Sequence, residues 1–123
     1  MLIRYIIDAI GITMFFTLKE EQDDTVISPA EVLDWTLKNN KLPEFTGMNF
    51  TLTNGVLCGV IVPGSEQGKV AAEIAIDILN GKKPSDIPIV NLKTGISMIN
   101  GNRAEGLNIS IPEKLKQKST IIH

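Results

Sequence analysis

The segment with the clearest potential for chemistry runs from Val62 to Glu66, after an apolar run and at the start of a predicted helix. Gly64 lets a ligand approach the backbone closely. The free amides of Ser65, Glu66 and Gln67 would then lie at the positive end of the helix. This arrangement favours a carboxylate or another small anion. The alternative is that Ser65 simply caps its helix, which requires no ligand.

Two further segments, Phe15 to Leu18 and Phe45 to Asn49, also follow predicted strands. In open α/β sheets, ligands bind beyond the carboxyl ends of the strands, where loops and helix starts converge. We expect the amides at the start of the helix to bind a ligand, one aromatic side chain to form an apolar wall, and Thr and Asn side chains to donate or accept hydrogen bonds. The predicted ligand-binding residues are Phe16, Thr17, Thr46, Asn49, Gly64 and Ser65.

No arrangement typical of an enzyme occurs in the sequence. Dinucleotide-binding glycine triplets, phosphate-binding loops, Cys pairs and nucleophile elbows are all missing. Cys58 lies in an apolar run and is expected to be a buried, inert thiol, whereas His123, the last residue, is expected to be disordered. Asp23 and Asp24 belong to a charged run without a third ligand at suitable spacing, which is typical of a solvated loop. The predictions are therefore no catalytic residue, no metal, no cofactor and no enzymatic activity.

Composition limits the classes of partner. The 123 residues, 43% hydrophobic and 21% charged, suit one globular domain. The net charge of −2, without a basic cluster, argues against nucleic acid as a partner. The apolar segment Met1–Phe16 is interrupted by Arg4 and Asp8 and is too short to span a bilayer, so neither membrane insertion nor a signal peptide is expected.

Strands and helices are predicted to alternate along the chain. The sequence Ser28-Pro29-Ala30-Glu31 is a strong helix start, followed by an inward stripe of Val32, Leu33 and Leu37. Trp35 lies off this stripe and is interpreted as a surface residue or a partner contact. A second helix follows the turn at Pro63 and ends at Asn80-Gly81. Strands are predicted at Ile6–Phe16, Leu42–Phe45, Val56–Val62, Ile87–Asn91 and Gly95–Ile99.

This order is typical of a three-layer α/β fold with a mostly parallel, flavodoxin-like sheet flanked by helices. We expect residues 1–123 to form a single domain, with residues 95–123 as a tail of short pieces. In that tail we expect a turn or short helix over Asn100–Gly106, a helix start at Ser110 and an extended end at Thr120–Ile122.

Two stretches carry a family resemblance. Asn54–Pro88 contains a glycine-flanked strand, the helix start Gln67-Gly68 and the helix exit Ile78-Leu79-Asn80-Gly81-Lys82-Lys83-Pro84, and Asn100–Ile122 follows with a Gly-Leu-x-Ile turn and an Ile-Pro helix start. Together they resemble the C-terminal half of ABC-transporter substrate-binding proteins of the type I periplasmic binding protein fold. Phe15–Glu31 looks closest to versions that serve as extracytoplasmic sensors of histidine kinases.

The resemblance implies one lobe of a protein that binds a small, amino-acid-like solute outside the cytoplasm. Members of this family have two lobes, so the expected partners are the missing N-terminal lobe or a second copy of the chain, and the chain is interpreted as a fragment. Pro63 and Phe15 stand where many relatives carry Asp, which removes partners for a ligand ammonium group. The alternative is therefore a dimerisation or interaction module whose ligand site has decayed.

Overall fold

Short strands and helices alternate through residues 7–92 and 95–123, the part of the chain that the computed structural model describes. The strands are β1 (Ile10–Ile12), β2 (Glu44–Thr46), β3 (Cys58–Ile61), β4 (Ile96–Asn100) and β5 (Thr120–Ile122). The helices are α1 (Pro29–Asn39), α2 (Asn49–Thr53), α3 (Gly64–Leu79), α4 (Gly101–Gly106) and α5 (Glu113–Lys116), with a 3₁₀ turn at Pro84–Asp86.

The five strands form one sheet in the order β1-β2-β3-β4-β5. β1 and β2 are parallel, with Ile12 opposite Thr46, and β2 and β3 are parallel, with Thr46 opposite Gly59. β4 and β5 are also parallel, and the Asn100 N–H donates to Leu57 O at 2.7 Å where β4 meets β3. The predicted α/β fold, a mostly parallel sheet with flanking helices, is confirmed.

The chain divides into two compact units. The first runs to Ile61 and resumes over Ser97–His123, and the second is Val62–Ile96. The second unit contains α3, which ends at Leu79 with Asn80 as its C-cap and is followed by Gly81 at φ +95°, a conformation that favours glycine. That residues 1–123 form a single domain stays a prediction.

The core of the first unit lies between α1 and the sheet. Ser28 caps α1, because its side chain accepts a hydrogen bond from the Glu31 N–H at 3.2 Å, as the sequence predicts. Leu33 packs with Ile12, Phe15 and Val56, and the predicted stripe is confirmed because its other two members lie against the same core.

Several predicted elements differ from the structure. Regular pairing of β1 covers only three residues, and the predicted start at Ile6 lies outside the described residues. The apolar run Val56–Val62 predicts a fully buried strand, but in β3 the side chain of Val60 is exposed and that of Ile61 is buried, because successive residues of a strand point to opposite faces. Ile87–Asn91 is not a strand, and the N-cap of α5 is Pro112 and not Ser110.

Candidate ligand-binding edge of the sheet

The carboxyl ends of β1 and β2 lie side by side, because the two strands are parallel and Ile12 faces Thr46. The loop Thr13–Leu18 leaves β1 at this edge, and Gly47 and Met48 lead from β2 directly into α2. We call these two segments, together with the first turn of α2, the carboxyl edge. It brings together two of the three segments that the sequence singles out, Phe15 to Leu18 and Phe45 to Asn49.

Three aromatic rings meet at the carboxyl edge. Phe16 stacks on Phe15, with ring centroids 4.8 Å apart and an interplanar angle of 19°. Phe50, in the first turn of α2, lies 5.8 Å from Phe16 and 6.1 Å from Phe15. Phe15 is buried in the core, whereas Phe16 and Phe50 are 38% and 39% exposed. The cluster therefore presents two partly exposed rings to solvent beside the buried ring of Phe15.

The polar side chains at this edge differ in whether they are exposed and free to contact a ligand. Thr46 is buried, and its hydroxyl accepts from the Met48 N–H and lies 2.7 Å from the Thr51 hydroxyl. Since the Thr51 hydroxyl donates to Met48 O, the Thr46 hydroxyl is the donor of that pair, and its proton is used within the turn. Thr17 and Asn49 are exposed beside the aromatic cluster. Their roles as ligand contacts, like that of Thr46, stay predictions.

Gly64 and Ser65 belong to the second unit and begin α3. A Cβ added at Gly64 would meet no atom within 4 Å, so the backbone there is open. The N-cap of α3 is Pro63 and not Ser65, so the capping alternative is wrong. Of the three amides predicted to be free, those of Glu66 and Gln67 are not, because both N–H groups donate to Pro63 O. Gly64 and Ser65 stay predicted ligand contacts.

A buried ion pair connects α1, β2 and α4. The carboxylate of Glu44, in β2, accepts hydrogen bonds from Nε and Nη2 of Arg103, in α4. The same guanidinium donates to Leu37 O at 3.0 Å and to Asn40 O at 3.2 Å, at the end of α1. Asn40 Nδ2 donates to the Glu44 carboxylate at 2.6 Å. One Arg side chain therefore fixes the mutual positions of α1, β2 and α4.

Sequence reasoning missed this pair, although one signal was present. Glu44 interrupts the apolar segment Leu42–Phe45, and a charged residue in a buried strand requires a partner. Fifty-nine positions separate it from Arg103, so nothing local in the sequence identifies that partner.

Other titratable groups have local roles. Cys58 is partly buried and its thiol donates to Glu44 O at 3.5 Å. Burial, followed by the nearby Glu44 charge, raises the pKa of the Cys58 thiol, which keeps it protonated and unreactive at neutral pH. Hydrogen bonds from Thr25 lower the pKa of the exposed Asp23 carboxyl.

The disorder expected for His123, the last residue, stays a prediction. The imidazole of His123 lies against Gly101, where an added Cβ would come within 2.7 Å of the ring.

Within residues 7–92 and 95–123, no group of three His, Cys, Asp or Glu side chains converges as a metal site would require. None of the helices in this part of the chain has the length and apolarity needed to cross a membrane.

Comparison with known proteins decides the family. Residues 16–122 match the family model of the ABC transporter substrate binding protein. The chain belongs to this family.

The similar proteins compared in sequence and structure are identical to this chain at a quarter of the aligned positions or fewer. A tyrosine-binding protein of Clostridioides difficile (strain R20291) is 25% identical over 87 residues, which are 71% of this chain and 25% of that protein. A conserved domain protein from Vibrio cholerae has a TM-score of 0.72 and 25% identity, and the match covers 93% of this chain and 36% of that one. The ABC domain from Streptococcus pneumonia in complex with L-Trp has a TM-score of 0.64 and 18% identity, with coverage of 94% and 56%. The chain thus spans between a quarter and just over half of the length of these proteins.

Proposed function

We propose that this chain supplies one wall of a site for a small solute that carries an aromatic ring, within a substrate-binding protein that serves an ABC transporter. The observation that carries the proposal is the exposure of Phe16 and Phe50 side by side at the carboxyl edge. In a parallel sheet, that edge is where ligands bind.

The rings suit a flat ligand. Offset or tilted aromatic pairs with centroids 4.5–7 Å apart gain about 0.5–1.5 kcal/mol beyond the burial of their area. A ligand ring that contacts both Phe16 and Phe50 would gain such an interaction twice. Thr17 and Asn49 lie next to the rings and can hydrogen-bond the polar end of the solute. The names of two related proteins, which refer to tyrosine and to L-Trp, agree with this ligand class.

The second wall belongs to the rest of the protein. One lobe covers roughly half of a ligand, whereas binding pockets usually bury about 70–90% of its surface. We therefore expect weak binding by this chain alone, and tight binding once a second lobe closes over the carboxyl edge. Gly64 and Ser65 are further proposed contacts. We place the whole protein outside the cytoplasm, where a solute-binding protein meets its ligand.

Transport is preferred to sensing because the matching family model describes transporter components. The dimerisation alternative stays a prediction, and measuring molecular mass in solution against concentration tests it: a monomer at every concentration would contradict it.

Saturation-transfer difference NMR tests the proposal, because it detects weak ligands. We expect L-tryptophan and L-tyrosine to receive saturation on their rings, and L-leucine to receive little. Phe50→Leu and Phe16→Leu should each weaken the signal by about twofold to tenfold, the equivalent of one aromatic contact.

Phe45→Leu is the matched control, since Phe45 is an exposed ring of β2 that lies over Gly11 and is not part of the cluster. Equal loss in all three variants, or equal saturation of leucine and tryptophan, would contradict the proposal.

A further inference from the structure

An apolar groove lies beside α1, formed by residues that the proposed ligand site does not use. Leu18, Ile27, Val32 and Trp35 form its walls, with Glu31 at its rim, and the cavity volume is about 300 Å³. Trp35 is 67% exposed, and Leu18 is about half exposed, at 48%. A large aromatic side chain in that position leaves apolar surface in water, and exposed apolar patches with polar rims mark interaction sites.

The geometry of α1 explains why Trp35 points away from the core. Leu33 faces the sheet, and a residue two positions further along a helix lies on a different face. Leu37, four positions after Leu33, packs on the core side instead. The position of Trp35 in the helix therefore excludes it from the core, and its exposure does not result from local disorder of the chain.

The opposite wall of the groove is also held in place. The Ile27 N–H donates to Leu18 O at 2.9 Å, and the Glu20 N–H donates to Thr25 O at 2.8 Å. Lys19 and Val26 form an antiparallel bridge between these bonds. The groove is thus preformed, which lowers the conformational entropy lost when a partner binds.

The charge around the groove is one-sided. Between Leu18 and Trp35 the sequence contains six acidic residues and one basic residue, Lys19. Lys19 already pairs with Asp24 at 3.2 Å, and Asp34 pairs with Lys38 at 2.6 Å. In the described part of the chain no ion pair involves the other acidic residues of this segment, which are Glu20, Glu21, Asp23 and Glu31.

We propose that this groove, with Glu31 at its rim and the acidic turn 20–24 between two of its wall residues, docks a basic segment of another protein, in which one apolar side chain enters the groove and flanking Lys or Arg side chains meet the carboxylates. Charge decides between the possible occupants. An anionic membrane surface would be repelled by the rim, and a second copy would bring the same acidic surface against itself. A basic, apolar polypeptide satisfies both the apolar walls and the rim.

Trp35 is the only tryptophan of the chain, so its fluorescence reports on the groove alone. The probe is a short amphipathic peptide of Lys and Leu without aromatic residues, and the control probe has Glu in place of Lys. We expect the Lys peptide to shift the Trp35 emission to the blue with a saturable, salt-sensitive binding curve. The Glu peptide should cause no shift, because like charges oppose it.

The matched variants are two double charge reversals, Glu20→Lys/Glu21→Lys in the turn between the wall residues Leu18 and Ile27 and Glu105→Lys/Glu113→Lys elsewhere on the first unit. The turn variant should weaken binding by at least about tenfold, and the distant variant by less than about twofold. Circular dichroism establishes that both variants fold.

Four results would overturn the proposal. They are no shift with the Lys peptide, an equal shift with the Glu peptide, an equal effect of both double variants, and a blue shift without peptide that grows with protein concentration. The last result would identify a second copy of the chain as the occupant.

Discussion

Replacing Arg103 by methionine should destabilise the first unit strongly. The Glu44 side chain is fully buried and that of Arg103 is only 16% exposed, so the substitution leaves a carboxylate without its cation in a dry environment. Removing one partner of a buried ion pair typically costs about 3–5 kcal/mol. The carbonyls of Leu37 and Asn40 lose donors as well, which adds to the loss. Because folded domains are stable by only about 5–15 kcal/mol, we expect the free energy of unfolding to fall by a third or more.

Urea unfolding followed by circular dichroism measures this change. The control is Lys38→Met, which removes an ion pair of good geometry, 2.6 Å to Asp34, between side chains that are 71% and 60% exposed. Exposed pairs contribute about 0–1 kcal/mol, so the control should change little. Adding Glu44→Gln to Arg103→Met should restore part of the stability, since the unpaired charge is removed. Equal effects of Arg103→Met and Lys38→Met, or no rescue, would refute the argument that burial determines the effect.

Three further predictions concern single positions. Gly59→Ala should destabilise the sheet by about 1–3 kcal/mol, because the added Cβ would lie 2.2 Å from Thr46 O. Gly47→Ala, which has open space around it, should cost less than about 1 kcal/mol in the same unfolding assay. Equal losses of stability in the two variants would contradict the close packing of Gly59 on Thr46. Ser28→Ala should lower the free energy of unfolding by about 1 kcal/mol through loss of the N-cap, and an unchanged denaturation midpoint would contradict the role of that bond. Native Cys58 should react with a thiol reagent only at higher pH than the unfolded chain, because the pKa of its thiol is raised in the folded state; coincident pH profiles would be inconsistent with its burial. For the same reason, the contribution of this thiol to the free energy of unfolding is present below the unfolded pKa and decreases as the pH rises through the folded pKa.

Local signals in the sequence predicted local structure well. The cap at Ser28 and the stripe that includes Leu33 identified α1, because the hydrogen bond and the packing face depend on residues within one or two turns. The helix exit at Asn80-Gly81 was equally clear, since few residues other than glycine adopt the positive φ found at Gly81.

Apolar content alone was a weaker guide. Ile87–Asn91 has the composition of a strand, yet Ile89 is exposed and the segment has no strand partner, because pairing depends on tertiary context. Ser65 has the residue type of a cap, but the N-cap position is occupied by Pro63, two residues earlier in the chain.

The candidate site was predicted in part. The rule that parallel strands end at a common edge identified Phe16 and the region of Asn49, but Phe50, which completes the aromatic cluster, was not among the predicted residues. Its contribution depends on the orientation of α2 against the loop after β1, and sequence spacing does not specify that orientation. The Glu44–Arg103 pair was missed for the same physical reason.

Mapping of amide chemical shifts during titration with L-tryptophan tests the central claim most directly, because it locates the ligand on the chain. We expect the largest changes in the loop after β1 and the first turn of α2, at Phe16, Thr17, Asn49 and Phe50, and much smaller changes around Trp35. Shifts centred elsewhere, or none at millimolar ligand, would contradict the assignment of the carboxyl edge as a wall of the solute site.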